Sequence, residues 1–533
     1  MKQSNAIVLI SLYDIDSFAI RTLHAVLKKA GFNVNSIFFK RENLNNTMNP
    51  PTGDEIKTLT RLVKEFKPLF VGISVRSTLF KLACEITKEI KKEVNTLVVF
   101  GGIHSTIRPE QCIRVADIVC IGEGEGPIVE LAIKLSKGEK IDNIQSLWVK
   151  KEDKIIKNDV HPLIQELDSL PFPDFSNENK FLVEMGRVLP LIDPDLIATY
   201  CLMTSRGCPF SCTYCCNNTL RRIFKGKGKY VRRRTVENVI EELVQAKKMF
   251  KNLTYIVFFD DVFTFDINWI RKFCEEYKNA VNLPFFFYCH PKATNEEIMP
   301  LLKDTGAMNT TMGIQTGSEE IRHKYFERYD TSEEIIKASQ ILHKHKINCA
   351  YDVILDNPLE TEEDKRETFN LLLRLPRPFR LHTHTLTHFP ETKLTNLLLE
   401  KGIISENDVE DEKQTSYERW TPTLDLGRNK ENLFWDNLYY LTQKKYIPKR
   451  FVIWLSHVNF LKRHPKALTF LLRSMSPNIY TVRRGSKIDM IRWYLMSFPH
   501  YFLQKKAWLL LWAKIKEKLY LISNPKSYVR KIK

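Results

Sequence analysis

The chain has 533 residues, 43% hydrophobic and 27% charged, which is too long for one compact core and predicts two or three domains. No run of about 18 uncharged apolar residues occurs, which argues against a membrane-spanning helix. The apolar start Ala6–Tyr13 is too short and lacks the basic run and cleavage site of a signal peptide, so the eleven cysteines are expected in a reducing cytoplasm, where clusters serve as ligands more often than as disulfides.

The net charge of +18 is unevenly placed: Tyr440–Lys533 carries 21 Lys and Arg against only Asp489 and Glu517. The basic character belongs to the tail.

The first 140 residues alternate short apolar runs with helical patterns. Strands are expected at Ala6–Leu12, Val34–Phe39, Leu69–Val75, Thr96–Phe100 and Ile118–Ile121. Helices are expected at Ser17–Ala30, Asp54–Phe66, Leu79–Glu93 and Glu125–Leu135. This alternation predicts an α/β unit, a doubly wound parallel sheet that binds ligands beyond its C-terminal strand ends. Those ends carry Ser74–Arg76, Gly101–Gly102 and Gly122–Gly126.

Residues 141–198 read as a linker with one hairpin, Leu147–Asp159, and a Pro-rich extended stretch, Leu167–Phe175. From 199 to 400 six strands alternate with helices: Tyr200–Thr204, Tyr255–Phe259, Pro284–Tyr288, Thr310–Ile314, Ala350–Leu355 and His382–Thr387. Six βα units predict a partial parallel (β/α)6 barrel with its chemistry at the C-terminal strand ends. Residues 401–533 read as a mostly helical basic region.

Cys208, Cys212 and Cys215 follow the first barrel strand on one loop. Three thiolates can hold three irons of a [4Fe–4S] cube, leaving the fourth iron open to a chelating ligand. A zinc knuckle with Cys216 or His290 as fourth ligand is the alternative, although the second CxxC-like arm usual for zinc is missing. Cys216 reads as a packed thiol, and Cys201, Cys274, Cys289 and Cys349 as core positions.

The CxxxCxΦC pattern, with Tyr214 as the aromatic, resembles the radical S-adenosylmethionine superfamily. The resemblance implies that the cofactor's methionine moiety chelates the open iron and that one electron releases a 5′-deoxyadenosyl radical. It places Tyr214 near the adenine. Ile256–Thr264 is similar to the family's acidic second-strand motif, which makes Asp260 or Asp261 the acceptor for the cofactor ammonium; a turn or helix cap is the plain alternative. Gly313–Glu320 resembles the fourth-strand motif, with Gln315 where glutamate is common, and Arg328 lies where a base to the cofactor carboxylate is often found. Asp352–Thr361 and Phe389–Thr392 resemble the fifth- and sixth-strand turns, with Asp356, Leu359 and Glu391 replacing glycines.

The N-terminal unit resembles the cobalamin-binding domain fused to one branch of that superfamily. The matching stretches are Val71–Val75, Gly101–Ser105 with Pro109 and Glu110, and Ile121–Glu125. Ser74, Gly101, Gly102, Glu123 and Gly124 are the expected cofactor-binding residues there, and Ser105 could bond the corrinoid's polar tail. The Asp-x-His-x-x-Gly loop that supplies a lower axial histidine is absent, and neither His24 nor His104 has its context. Cys84, Cys112 and Cys120 do not fall at the strand ends that the methylthiotransferase branch uses for a second cluster.

The paired cofactors imply methyl transfer from methylcobalamin to an unactivated carbon. A cobalamin-dependent rearrangement or cyclisation without methyl transfer is the alternative, and a non-catalytic corrinoid or redox sensor is another. Expected partners are a small-molecule or lipid-like substrate and an electron donor such as flavodoxin or ferredoxin, with no nucleic acid. Trp508, Leu511, Trp512, Ile515, Leu519 and Ile522 recur at helical spacing among lysines, which predicts peripheral contact with the inner membrane face. A lid helix packed on the barrel is the other reading of that tail.

Overall fold

All seven residues of the first strand, β1 (Ala6–Leu12), are buried, as happens when helices cover a sheet on both sides. The computed structural model describes residues 5–41, 50–152, 154–191, 197–410 and 429–475. Alternate residues of β1 feed two separate cores. Val8, Ile10 and Leu12 pack with Leu59, Val63 and Ile86 from helices Gly53–Phe66 and Phe80–Glu93. Ile7 and Leu9 pack with Ile20, Leu27 and Leu131 from helices Phe18–Lys29 and Glu125–Ser136. The parallel strands β2 (Asn33–Phe39), β3 (Phe70–Ser74), β4 (Leu97–Gly101) and β5 (Ile118–Cys120) complete this layer in the order β5-β4-β3-β1-β2.

The segment 141–198, expected as a linker with one hairpin, instead supplies four strands to this sheet. β6 (Leu147–Lys151) and β7 (Lys154–Lys157) continue it antiparallel beyond β5. β8 (Lys180–Glu184) pairs parallel with β2, and β9 (Arg187–Pro190) folds back on β8. The second hairpin turns through Met185 and Gly186, both at positive φ. A turn of that kind is usually signalled by Asn-Gly or Asp-Gly, which this sequence lacks.

The second sheet begins with β10 (Thr199–Leu202). A short antiparallel pair, β11 (Ser205–Arg206) and β12 (Arg232–Arg233), follows. Then come β13 (Tyr255–Phe258), β14 (Phe285–Cys289), β15 (Ala307–Gln315), β16 (Asn348–Leu355) and β17 (Arg380–Thr385), all parallel and in sequential order from β10 to β17. This is the expected half-barrel. Phe285, Phe287, Tyr351, Val353 and Leu355 are buried toward the outer helices. The alternate residues, such as Phe286, Tyr288, Asp352 and Ile354, are only partly buried and line the concave side. Thr331 with Glu334, and Thr361 with Asp364, cap two outer helices reciprocally.

Helix Lys430–Thr442 seals one flank of the half-barrel. Trp435 is fully buried with its ring centroid 5.8 Å from that of Phe369. Tyr439 donates its hydroxyl to the Lys365 carbonyl at 2.7 Å, and Lys365 pairs with Glu431 at 2.6 Å. Three further helices, Lys449–Ser456, Asn459–Arg463 and Pro465–Met475, end the described chain. The tail helix expected at 502–522 lies outside the described residues.

The two sheets meet with their C-terminal strand ends facing each other. Phe18, after β1, contacts Phe259, after β13, at 6.0 Å between ring centroids. Glu123 and Glu125, after β5, pair with Arg206 of β11. Arg108, after β4, pairs with Glu391, after β17, at 3.1 Å.

Candidate active site

The cysteine loop lies at this junction. Cys212 is buried, and Cys208 and Cys215 are half-buried. The loop is tied from three sides. Thr213 donates its N–H to the Phe326 carbonyl at 3.1 Å, Asn218 donates its side-chain amide to the Ser211 carbonyl at 3.0 Å, and Arg221 donates to the Cys208 carbonyl. Phe210 stacks on His290 at 3.7 Å between centroids. Cys215 stands at the N-cap of helix Cys216–Ile223, where the helix dipole favours a thiolate.

The three thiols interact electrostatically: Cys208 feels both Cys215 and Cys212. Burial pushes the Cys208 thiol up to about 12, while the adjacent Cys216 side chain lowers Cys215.

One zinc ion would draw three sulfurs to within roughly 3.8 Å of one another, given Zn–S bonds of about 2.3 Å. Among the described residues, the one ligand group whose atoms all lie within 4.8 Å is Asp352, His382 and His384. At least one pair of the cysteine sulfurs therefore stands farther apart than a single zinc ion would hold them.

Tyr214 packs edge-on against Phe326 at 4.8 Å and contacts Arg328. Arg328 is buried and charged, bonded to Asp330 at 2.9 Å and to the Gly313 carbonyl, with Cys212 in its field. It is therefore no solvated arginine, and its charge favours the Cys212 thiolate. Gln315, at φ +71°, sits on a β-bulge and folds its amide over Gly313.

The two aspartates separate. Asp260 is fully buried and accepts from the Thr204 N–H at 3.1 Å, the Thr204 hydroxyl at 2.7 Å and the Ser205 hydroxyl. It holds β10 to β13 and has no reach to a ligand. Asp261 is exposed and accepts from Asn217 at 3.2 Å. The same Asn217 amide lies 3.7 Å from the Cys215 sulfur, and its oxygen accepts from Tyr230 at 2.6 Å. Asn217 was not foreseen; its signal was its place two residues after the last cysteine.

On the facing sheet, Ser74, Gly101 and Gly102 are half-buried at the ends of β3 and β4. Glu123 has both oxygens taken: Arg206 and Arg232 lie at 2.9 Å and the Ile164 N–H at 2.8 Å. Together with Glu125 and Arg206, at 2.6 Å, it forms a clamp between the sheets. Glu123 therefore leaves the set expected to hold a ligand. Gly124 faces Cys120 and Leu23 inside the fold, and Ser105 is fully buried with its hydroxyl on the Gly101 carbonyl. Cys201, expected in the core, is half-buried on the concave face of β10.

Two family models match the chain: the B12 binding domain over residues 5–132 and the radical SAM superfamily over residues 202–372. The chain belongs to the cobalamin-binding radical S-adenosylmethionine enzymes. An uncharacterised methyltransferase of Pyrococcus horikoshii is 28% identical to this enzyme over 65% of the chain and 72% of that protein. Cytidylyl-2-hydroxyethylphosphonate methyltransferase of Streptomyces wedmorensis is 25% identical over 60% of the chain and 66% of its own length. The solved cobalamin-dependent S-adenosylmethionine radical enzyme OxsB, with aqua-cobalamin bound, shares the fold at a TM-score of 0.61 and 16% identity, covering 97% of this chain and 80% of that one.

The enzyme's residues fit both metal cofactors. Three thiols on one loop without a fourth cysteine arm suit a cluster with one open iron. Gly102, at φ +92°, lets the end of β4 turn close against the end of β3, where a Cβ would stand 3.0 Å from the Val75 nitrogen and 3.2 Å from the Ser74 hydroxyl, and so keeps this strand-end surface free of a side chain. Neither His24 nor His104 is free to ligate a metal: His104 is buried between Ser77 at 3.0 Å and Gln111 at 3.1 Å, and His24 is buried against Ser36 at 2.8 Å. Among the described residues, no helix is long and apolar enough to cross a membrane.

Proposed function

We propose that this enzyme transfers a methyl group to an unactivated carbon of a small organic substrate. The observation that carries the reading is the end-to-end meeting of the two sheets, in which helix Cys216–Ile223, directly after the cysteine loop, contacts helix Ile103–Ile107, directly after Gly102. When bound, the cluster with S-adenosylmethionine would supply an electron and the 5′-deoxyadenosyl radical, and cobalamin the methyl group.

Within that scheme the chain's own residues hold and orient. Cys208, Cys212 and Cys215 ligate iron, with the buried Arg328 charge offsetting thiolate charge at Cys212. Asp261 accepts from the cofactor ammonium, oriented by Asn217, and Asp260 fixes the strand ends beneath it. Gln315 offers its amide to ribose hydroxyls, and Tyr214 supplies an aromatic edge for adenine. Ser74, Gly101 and Gly102 receive the corrinoid tail. Both methyltransferase relatives support this outcome over the sensor reading.

The test is anaerobic reconstitution of the full chain with iron, sulfide and hydroxocobalamin, then incubation with methyl-labelled S-adenosylmethionine under reducing conditions. Label should appear in cobalamin. Formation of 5′-deoxyadenosine with no labelled cobalamin would leave a radical enzyme of another outcome.

For partners, we propose a flavodoxin or ferredoxin as electron donor and contact with an anionic membrane surface, which favours a lipid-like substrate. Phe451, Trp454 and Phe460 are 48%, 58% and 64% exposed beside Lys449 and Arg450, a composition suited to a lipid headgroup boundary. Substituting Trp454 and Phe460 together by Ala should reduce co-sedimentation with anionic liposomes; unchanged pelleting would refute the contact.

A further inference from the structure

The concave face of the half-barrel carries a side-chain group separate from both the cysteine loop and the Ser74–Gly102 strand ends. Asp352 lies on β16 and His382 and His384 on β17, and the ladder pairs Asp352 with His382 and Ile354 with His384. Tyr351, Val353 and Leu355 point into the core, so by the two-residue period of a strand Asp352 points the other way, into the lumen. His382 and His384 stand beside it, 49% and 56% exposed, against 25% for Asp352. Tyr288, on the concave face of β14, lies within the field of Asp352. Asp352 is three residues short of the end of its strand, about 10 Å down the wall at roughly 3.3 Å per residue. It is thus set below the strand ends, inside the barrel.

Both imidazoles turn to one carboxylate oxygen. His382 Nδ1 is 3.0 Å and His384 Nε2 is 3.4 Å from Asp352 Oδ1. One ligand atom from each residue lies within 4.8 Å of the other two. Ligands bound to one ion at about 2.0–2.1 Å stand roughly 2.9 Å apart at right angles and roughly 3.4 Å apart in a tetrahedron. The two edges, 3.0 and 3.4 Å, span that range. A carboxylate with two imidazoles is a donor set for zinc or ferrous iron, and too rich in nitrogen for magnesium or calcium.

We propose that Asp352, His382 and His384 bind one divalent first-row metal ion inside the half-barrel. The three ligands come from one wall, so the remaining coordination positions open into the lumen. There the ion would take an oxygen donor of the substrate, such as a hydroxyl, carboxylate or phosphate group, and fix it below the strand ends. This site does not depend on methyl transfer, because it can be read without turnover.

The test uses the full-length enzyme with its cluster assembled, so that the cysteines are occupied by iron. The protein is equilibrated with Zn2+, freed of excess by gel filtration and analysed for zinc and iron. The wild type should retain one zinc per chain more than His382→Ala/His384→Ala, at equal iron content. Asp352→Asn keeps the shape and hydrogen bonding but removes the anionic ligand, and should weaken zinc binding by at least about tenfold. Should the double variant lose its iron through misfolding, Asp352→Asn decides alone. Equal zinc retention by the wild type and the correctly folded variants would overturn the site and leave a hydrogen-bonded trio.

Discussion

Where the first sheet turns out of β4 and β5, the left-handed positions are glycines, Gly102 at φ +92° and Gly122 at φ +86°; out of β1 and β2 they are Tyr13 at +57° and Lys40 at +61°. Where the half-barrel does so, they are Gln315 at +71°, Asp356 at +60° and Glu391 at +62°. The glycines stand where something else fills the Cβ space: the Val75 backbone at 3.0 Å from Gly102, and the Phe224 ring at 2.7 Å from Gly122. Two of the half-barrel's side chains are anchored. Asp356 accepts from Thr385 at 2.9 Å and Asn432 at 2.8 Å, and Glu391 pairs with Arg108. A non-glycine residue in that region costs about 1–2 kcal/mol, which these contacts offset. One backbone conformation thus serves close approach at Gly102 and Gly122 and side-chain anchoring at Asp356 and Glu391.

The largest effect expected from this contrast is at Gly122. An added methyl group meets the Phe224 ring and a strained φ together, so Gly122→Ala should destabilise by about 2–4 kcal/mol in urea unfolding. Phe224→Leu should recover part of that loss in the double variant. No recovery would place the cost in the backbone alone and break the close-approach argument.

A middle-sized effect follows from the buried histidines of the first sheet. Burial brings His24 and His104 down to about 4, so both are neutral in the fold. The unfolded chain binds their protons near pH 6.5, so their stabilising contribution is full above that pH and is lost as pH falls toward 4. Each should remove about 2 kcal/mol by pH 5. The drop in unfolding free energy between pH 7 and pH 5 should shrink by that amount in His104→Gln; an equal drop would contradict the neutral buried state.

The smallest effect is at Glu391. Glu391→Gly relieves the left-handed strain and loses a partly exposed ion pair, so stability should change by less than about 1 kcal/mol, toward the more stable side. A larger loss would mean that Arg108 binds Glu391 far more strongly than an exposed pair does.

Most of this architecture was legible in the sequence because hydrophobic period decides it. β1 and β2 and the six half-barrel strands fall within a few residues of the apolar runs that announced them. The second hairpin was not legible, because Met185-Gly186 is not a turn signal and its strands are short. In the site, the cysteine spacing was readable, and so were the glycine replacements at Asp356, Leu359 and Glu391, of which Asp356 and Glu391 prove left-handed and Leu359 does not. The division of labour between Asp260 and Asp261 was not, since two adjacent carboxylates differ only in which way the strand end turns. Glu123 misled for the same reason: its motif lies at a strand end, and the partners that occupy it, Arg206 and Arg232, are about 80 or more residues away. The Asp352 group had a signal, two histidines at alternate positions of a strand, but only the β16–β17 register brings the aspartate beside them.

The central claim is that Cys208, Cys212 and Cys215, and not Cys216, hold the cluster that cleaves S-adenosylmethionine. The direct measurement is iron content and 5′-deoxyadenosine formation in the anaerobically reconstituted, dithionite-reduced full-length enzyme. Replacing Cys208, Cys212 and Cys215 together by Ala should abolish both, while Cys216→Ala should retain both. Undiminished 5′-deoxyadenosine formation by the triple variant, or loss of the cluster in Cys216→Ala with its fold intact, would contradict the account.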